Sequence, residues 1–234
     1  MHFFKNLLNY VVIIIIICII YKLYLLYELI YNNKTVELFS SDKWESIIDG
    51  IVYINLDKRT DRKKELLTNL KKYNVPSKLI HRIPAVYDKM CGHLGCSKSH
   101  IKALDYAERK QWNRFLILED DFIFKEDKSK VQDRIVDFYD KYKYDCLMLA
   151  SHYLNTKDTD IPYVKKVVSG TTTSGYIVPK HYIPRLKLNF IESRDKLESE
   201  VAERLKKDPK QKIYQTGNAI DVQWMPLQEK DNWY

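Results

Sequence analysis

A short apolar run in the middle of the chain, from Phe115 to Leu118, ends abruptly in three acidic residues, Glu119, Asp120 and Asp121. Four consecutive apolar residues predict a strand buried on both faces, as in a parallel sheet covered by helices. In open α/β sheets, ligands bind beyond the carboxyl ends of the strands. Crowded carboxylates raise one another's pKa values unless a positive charge lies between them. The pattern therefore indicates either a solvated acidic turn or a site for a divalent cation such as Mg²⁺ or Mn²⁺.

The remaining sequence alternates between strand-like and helix-like segments, which predicts an α/β domain with a mostly parallel sheet. Besides the acidic strand, the predicted strands are residues 51–56, 78–86, 146–150, 164–168 and 176–178. One helix is predicted from an N-cap at Thr60, and another from Ser97 or Ser99 after a loop that contains Gly92 and Gly95. Two further helices are expected near the C-terminus, the second at residues 192–207.

The N-terminal part carries a long apolar segment from Leu7 to Leu29. A helix needs about 20 residues to cross a bilayer, whereas the apolar region of a signal peptide is shorter and ends at a small-residue cleavage site, which is missing after Tyr21. We therefore expect a tail at residues 1–6, a single-pass membrane anchor at 7–29, a stem at 30–49 and a globular domain at 50–234. The flanking charges do not fix the orientation of the anchor.

Cysteine content and net charge narrow the class of protein only slightly. Four cysteines, one of them inside the apolar segment, do not make a disulfide framework, so Cys91 and Cys96 are either a pair or two thiols. The net charge of +8 favours an anionic ligand, or it reflects a general bias of the composition. Because the sequence shows no basic block, zinc-ligand spacing or nucleic-acid module, a nucleic-acid partner is not expected.

Three segments occur in an order that is typical of one enzyme family. The first is Ile54-Asn55-Leu56-Asp57 with Arg59 and Arg62, the second runs from Gly95 to His100, and the third from Leu116 to Asp121. Together they resemble glycosyltransferase family 25, which includes lipooligosaccharide and collagen galactosyltransferases. The resemblance is strong over residues 51–121 and weaker to about residue 228.

The resemblance implies a GT-A type fold and an inverting transfer of a hexose from a UDP-sugar, in which the acidic segment holds Mn²⁺ or Mg²⁺. Glu119 and Asp121 would contact the metal, Glu119 also the donor, and Asp120 would orient them. The metal would act as a Lewis acid on the leaving diphosphate. The expected acceptor is a hydroxyl of a glycan, glycoconjugate or protein, and the anchor would place the enzyme as a type II membrane protein in a secretory-pathway lumen.

Residues in the first two segments are candidates for binding the donor. Asn55, Leu56 and Asp57 could meet its base or ribose, because they end the first strand. Arg59 and Arg62 lie one helical turn apart and could reach a diphosphate, unless they are a solvated pair on a basic helix. Ser99 and His100 open the predicted second helix, so they either contact the donor or serve as an N-cap and a structural histidine.

Two later segments match the family less well. The segment from Gly170 to Val178 either closes over a substrate or forms a hairpin turn. Asp221 lies where family members carry a late acidic pair, which makes it the candidate acceptor base or an additional metal contact, but Gln223 replaces the second carboxylate. This departure raises the alternative of a degenerate membrane protein that binds a nucleotide sugar or glycan without turnover. Trp224 and Trp233 either stack on a sugar ring or pack in the core.

Overall fold

The chain forms two compact units, Met1–Lys43 and Trp44–Tyr234, in a computed structural model that describes residues 16–28, 43–208 and 210–234. In the first unit, residues 16–28 are helical and their side chains are exposed. The rest of the predicted anchor, and residues 30–42 of the predicted stem, lie outside the described residues. No helix in the described part of the chain is both long and apolar enough to cross a bilayer.

The second unit is built on a five-stranded sheet with the strand order β2-β1-β3-β5-β4. Its strands are β1 (Gly50–Asn55), β2 (Ile80–Pro84), β3 (Arg114–Glu119), β4 (Leu147–Asp158) and β5 (Lys165–Pro179). β1 pairs in parallel with β2 and β3, whereas β5 pairs antiparallel with β3 and β4. Four strands therefore run in one direction and β5 in the other, which confirms a mixed, mostly parallel α/β sheet.

Seven helices of this unit connect or cover the strands within the described residues. They are α1 (Lys43–Ile47), α2 (Thr60–Lys72), α3 (Gly92–Arg109), α4 (Lys128–Lys141), α5 (Ile183–Lys207), α6 (Ile220–Gln223) and α7 (Met225–Lys230). Short 3-10 turns at Ser77–Leu79 and Lys180–Tyr182 precede β2 and α5.

The interiors of the central strands β1 and β3 are apolar because both faces of the sheet are covered. Val52 and Ile117 belong to a buried cluster that includes residues of α3 and α5. Their neighbours Ile51 and Leu116 point to the other face, into a cluster with residues of α2 and α4. The buried acidic strand predicted from sequence is therefore confirmed as β3, at the centre of the sheet.

The compact unit begins earlier than the expected boundary at residue 50. α1 buries Trp44 and Ile47, which lie inside the segment predicted to be a stem. The indole N–H of Trp44 donates a hydrogen bond of 2.9 Å to the carbonyl of Tyr73 at the end of α2. Because a polar stem would not bury these side chains, the C-terminal end of this segment is part of the globular unit.

Three other predicted elements differ in the structure. The strands expected at 164–168 and 176–178 form one strand, β5, so the segment from Gly170 to Val178 is not a hairpin turn. The two expected C-terminal helices are a single helix, α5, because Pro184 lies in its first turn, where proline is tolerated. α3 begins at Gly92, five residues before the earlier of its two predicted starts, and Thr60 is the first residue of α2 rather than its N-cap.

Candidate functional site

A cleft of about 270 Å³ lies beyond the carboxyl ends of β1 and β3, which are neighbours because Ile54 pairs with Glu119. This is the edge at which ligands bind in open α/β sheets. We call it the donor cleft. Seven of the predicted site residues line it: Leu56, Arg59, Arg62, Ser99, His100, Glu119 and Asp120.

Asp120 is held by hydrogen bonds on both of its carboxylate oxygens. The side-chain amide of Asn55 donates to Oδ2 at 2.8 Å, and Nη1 of Arg62 donates to Oδ1 at 3.0 Å. Asn55 is itself buried, and its amide oxygen accepts a hydrogen bond from Arg82. Asn55 therefore orients Asp120, and the side chain of Asn55 is hydrogen-bonded to protein groups on both its nitrogen and its oxygen.

Arg62 supplies the positive charge that the acidic segment requires. Its Nη1 lies 3.0 Å from Oδ1 of Asp120 and 3.0 Å from Oδ2 of Asp121. Burial and the charge of Glu119 nevertheless raise the pKa of Asp121 above its ordinary value. The acidic segment is therefore an ion-paired wall of the cleft and not a solvated turn.

Glu119 points toward α3 and β5. Its Oε1 accepts a hydrogen bond of 2.5 Å from the hydroxyl of Thr173 and lies 3.3 Å from Nε2 of His100. Burial favours the neutral carboxyl, but the hydrogen bonds from His100 and Thr173 outweigh it and hold the pKa of Glu119 below its ordinary value. Glu119 therefore enters the cleft as a carboxylate near neutral pH.

Ser99 and His100 lie in the middle of α3, which corrects the prediction that they open it. The Ser99 hydroxyl donates to the carbonyl of Gly95 at 2.6 Å and accepts the N–H of Val86 at 2.8 Å, so it joins α3 to the segment after β2. His100 is fully buried, with Nδ1 2.8 Å from the hydroxyl of Tyr176. Because the N–H groups of this turn bond within the helix, they are not available to an anion.

The other predicted donor contacts are paired with neighbouring side chains. Nη2 of Arg82 donates to Oδ1 of Asp57 at 2.5 Å. Arg59 lines the donor cleft, but its guanidinium donates through Nε and Nη2 to the carboxylate of Asp61. This hydrogen bond is the main reason why the pKa of Asp61 lies well below its ordinary value. Of the two candidate arginines, only Arg62 contacts the acidic segment.

A second, smaller cleft of about 210 Å³ contains Asp221, and we call it the Asp221 cleft. Oδ2 of Asp221 accepts the backbone N–H of Thr172 at 3.1 Å, and Thr172 has a left-handed φ of 81° in β5. Cys96 and Glu119 line both clefts, so the two adjoin. The structure thereby brings Asp221 to the same region as the acidic segment, although about 100 residues separate them in the sequence.

Gln223 and the two candidate tryptophans do not face these clefts. The amide of Gln223 donates to the carbonyl of Gly217 at 2.7 Å, and its oxygen accepts from Lys196 at 2.7 Å. Trp224 and Trp233 are fully buried and pack edge to face against each other, which excludes sugar stacking by either in this structure. Cys91 and Cys96 are both free thiols.

One cluster in the described part of the chain brings three metal-ligating side chains together. Donor atoms of Cys96, His100 and Glu119 lie within 4.8 Å of one another. Sequence reasoning missed this cluster, because Cys96 and His100 lie on one face of α3 while Glu119 comes from the end of β3. Asp121, the other predicted metal ligand, lies outside the cluster and pairs with Arg62.

Comparisons with known proteins agree with the resemblance seen in the sequence. The family described as glycosyltransferase family 25 (LPS biosynthesis protein) matches residues 88–196, which include the segment from Gly95 to His100, the acidic segment and all of β5. No curated protein matches the chain.

Among solved structures, a Bacillus anthracis protein described as a glucose-1-phosphate thymidylyltransferase, in complex with sucrose, is similar at 14% identity and a TM-score of 0.35. The similarity covers 78% of this chain and 77% of that protein. The family match over residues 88–196 and the arrangement of the motifs around one cleft support assignment to glycosyltransferase family 25 and glycosyltransferase activity.

Proposed function

We propose that this glycosyltransferase moves a hexose, galactose or glucose, from a UDP-sugar to a hydroxyl of a glycan, glycoconjugate or protein, with inversion at the anomeric carbon. The observation that supports this most is the donor cleft, where Arg62 clamps Asp120 and Asp121 beside Glu119. At the carboxyl end of a sheet, the guanidinium of Arg62 suits a diphosphate, and the carboxylates beside it suit the metal ion that accompanies a diphosphate. The GT-A type of the fold is part of this proposal.

Binding of the donor is assigned to the donor cleft. Leu56 would offer backbone groups to the nucleoside, and Arg59 and Arg62 would meet the diphosphate once it displaces part of their carboxylate contacts. Asn55, Asp57, Ser99 and His100, which are also candidates from the sequence, would support this cleft through the protein contacts they already make. Their contribution is positioning, since each is engaged by a neighbouring group.

Glu119 and Asp121 are the residues that would hold Mn²⁺ or Mg²⁺. Carboxylate oxygens fit these hard cations, and both described hydrogen bonds to Glu119 reach Oε1, which leaves Oε2 for a cation. When bound, the cation would supply Lewis-acid stabilisation of the charge on the leaving diphosphate. Asp120, fixed by Asn55 and Arg62, would keep its neighbours in place.

Asp221 is the proposed base for the acceptor. It lines the adjoining cleft, and the N–H of Thr172 fixes one of its oxygens. The acceptor hydroxyl would form a bond to the anomeric carbon while the bond from that carbon to the diphosphate oxygen breaks. The hydroxyl proton would pass to Asp221, and the diphosphate would leave with the bonding electron pair.

A membrane location completes the proposal. The apolar residues 7–29 would anchor the chain as a type II protein with its globular unit in a secretory-pathway lumen. The bilayer would then be a permanent partner, and acceptors would be glycans or proteins that pass through that compartment.

The direct test measures release of UDP from a panel of UDP-sugars by the full-length chain in mild detergent, with Mn²⁺ or with EDTA. We expect turnover of one donor only with metal, and a loss of about 100-fold or more in Asp121→Asn, the scale for removing one electrostatic stabiliser. Asp140→Asn, which removes the same charge from an exposed position on α4, is the matched control. Equal turnover by the two variants, or turnover in EDTA, would contradict the assignment of Asp121.

A binding protein without turnover is the second candidate, and Gln223 is the residue that motivated it. The structure weakens this motive, because Gln223 contacts Gly217 and Lys196 rather than the clefts. Binding alone predicts that UDP with Mn²⁺ raises the melting temperature while no UDP-sugar is consumed. A chain whose melting temperature responds to neither UDP nor Mn²⁺ would contradict both candidates and would favour a tethered adaptor.

A further inference from the structure

The side chains that join the donor cleft to the Asp221 cleft have the chemistry of a transition-metal site. Cys96 and His100 are four residues apart on α3, so both project from the same face of the helix. Glu119 reaches them from the end of β3, and the donor atoms of the three lie within 4.8 Å of one another. We propose that Cys96, His100 and Glu119 bind Zn²⁺, with an open coordination position that faces the clefts and takes water or a ligand oxygen.

The donor set selects the class of metal. Zinc sites combine thiolate, imidazole and carboxylate ligands, and those with three protein ligands keep one position open. Mg²⁺ and Mn²⁺ prefer oxygen ligands, which is why the proposed site for them involves Asp121 and does not involve Cys96. The two proposals share Glu119, whose Oε1 faces His100 while Oε2 remains for the second cation.

The imidazole of His100 is already fixed in a ligating orientation. The ring is fully buried and stacks on Tyr176, with 5.8 Å between ring centroids and 16° between ring planes. Nδ1 lies 2.8 Å from the hydroxyl of Tyr176, and Nε2 points toward Glu119 at 3.3 Å. When the metal binds, the ring proton moves from Nε2, where it is donated to Glu119, to Nδ1, where it is donated to Tyr176, so Nε2 presents its lone pair to the metal. A hydrogen bond on the other ring nitrogen is the usual support of a metal-bound histidine.

Binding at Cys96 replaces a proton by the metal. The S–H bond breaks, a sulfur–zinc bond forms, and the proton leaves to solvent. A divalent ion between Cys96 and Glu119 stabilises both negative charges, which a proton on sulfur does for only one.

The open position gives the site access to ligands. All three side chains line the donor cleft, and Cys96 and Glu119 also line the Asp221 cleft. A zinc ion held here therefore lies at the junction of the two clefts, within reach of an oxygen of a bound sugar.

The test uses Co²⁺, which takes zinc ligands and reports a thiolate ligand by its absorption. The full-length chain in mild detergent is stripped with EDTA and titrated with Co²⁺. We expect a sulfur-to-cobalt charge-transfer band that saturates at one ion per chain and disappears on addition of Zn²⁺. Cys96→Ser should abolish the band, whereas Cys18→Ser, which removes an exposed thiol outside the globular unit, should leave it unchanged.

Two further variants separate this site from the proposed enzyme activity. Tyr176→Phe should weaken Zn²⁺ binding about 10- to 100-fold, because it removes the partner of Nδ1. Asp121→Asn should keep the cobalt band even if UDP release is lost. A band that survives in Cys96→Ser, or no band in a folded wild-type chain, would overturn the zinc site. Neither result bears on UDP release with Mn²⁺, which is measured separately.

Discussion

At the scale of single residues, Arg62 determines whether the acidic segment can act as one unit. It bridges Asp120 and Asp121, whose side chains are 11% and 46% exposed. Without its charge, the carboxylates repel one another and lose a fixed orientation. The sequence predicted a positive charge among these carboxylates and assigned it to a metal ion. It could not assign it to Arg62, because the sequence does not show that Arg62 folds next to the acidic segment.

We expect Arg62→Gln to lower kcat/KM for UDP release by about 100-fold, the scale for loss of one electrostatic stabiliser. Stability should change by no more than about 1 kcal/mol, because partly exposed ion pairs contribute little. Steady-state kinetics and urea unfolding measure the two effects. Lys64→Gln removes the same charge from an exposed position on α2 and should leave kcat/KM unchanged. A comparable loss in both variants would mean that only the general positive potential matters.

Glu200 connects α5 to the loop that leads to Asp221. Its Oε2 accepts hydrogen bonds from the hydroxyl of Thr216 at 2.6 Å and from the amide of Asn218 at 3.0 Å. Burial alone would raise the pKa of Glu200, but these hydrogen bonds and Arg204 hold it below its ordinary value. The carboxylate therefore stabilises the folded state above the pKa of the unfolded chain, and this contribution is lost as the pH falls through the folded-state pKa.

Glu200→Gln should accordingly reduce the free energy of unfolding at pH 7 and have a smaller effect at acidic pH. Urea unfolding of the wild type and the variant across that range measures the difference between the two curves. Glu203→Gln, an exposed position on the same helix, should give a difference that is small at every pH. A loss in Glu200→Gln that does not shrink on acidification would show that the carboxylate charge is not its cause.

At the scale of elements, the position of α3 depends on a close contact between Gly95 and the backbone of Val86. Gly92, on the same helix, makes no such contact. A Cβ on Gly95 would overlap the carbonyl oxygen of Val86, whereas a Cβ on Gly92 would meet no atom within 4 Å. Gly95 therefore lets α3 approach the segment after β2, where Ser99 also bonds to Val86. This close approach places Cys96 and His100 against the cleft.

Gly95→Ala should destabilise the globular unit by about 1–3 kcal/mol, the usual cost of overpacking. In an uncrowded helix the same substitution is favourable by roughly 0.5–1 kcal/mol. Gly92→Ala is the matched control, and we expect it to leave stability unchanged or slightly higher. Thermal unfolding of both variants decides the matter, and a stabilised Gly95→Ala would contradict the close contact between α3 and Val86.

The strand β5 shows why element boundaries were harder to predict than element types. Its glycines and threonines resemble a turn in the sequence, yet pairing with β4 continues through them with several shifts of register. Thr172, with its φ of 81°, marks one irregularity and turns its N–H toward Asp221. Local composition predicts a break, while hydrogen bonds to a strand that is remote in sequence keep the segment extended.

At the scale of the whole molecule, the C-terminal residues complete the core. Trp233 is fully buried, its indole N–H donates to the hydroxyl of Tyr182 at 3.0 Å, and its carbonyl accepts the N–H of Val167. Tyr234 continues this pairing with Cys146 and Met148 at the start of β4. An aromatic residue near a chain end is therefore part of the fold, and the sequence could not distinguish this role from binding a sugar.

Trp233→Ala should lower the free energy of unfolding by about 3–5 kcal/mol, because it leaves a large cavity among Trp224 and Tyr182. Tyr214→Ala, which truncates an aromatic side chain that is 76% exposed, should change stability by no more than about 0.5 kcal/mol. Denaturant unfolding compares the two. If Trp233 served only a ligand, its removal would affect stability as little as that of Tyr214.

The sequence by itself determined the class of the domain, the central acidic strand and the resemblance to glycosyltransferase family 25. A strand covered on both faces requires a continuous run of apolar residues, and such a run can be read directly from the sequence. The spacing between motifs can be read in the same way. Only the tertiary structure decided which groups meet: Arg62 with Asp120 and Asp121, Glu119 with His100, and Asp221 with Thr172. These contacts join residues from different elements, so they depend on how helices pack on the sheet, which no local pattern records.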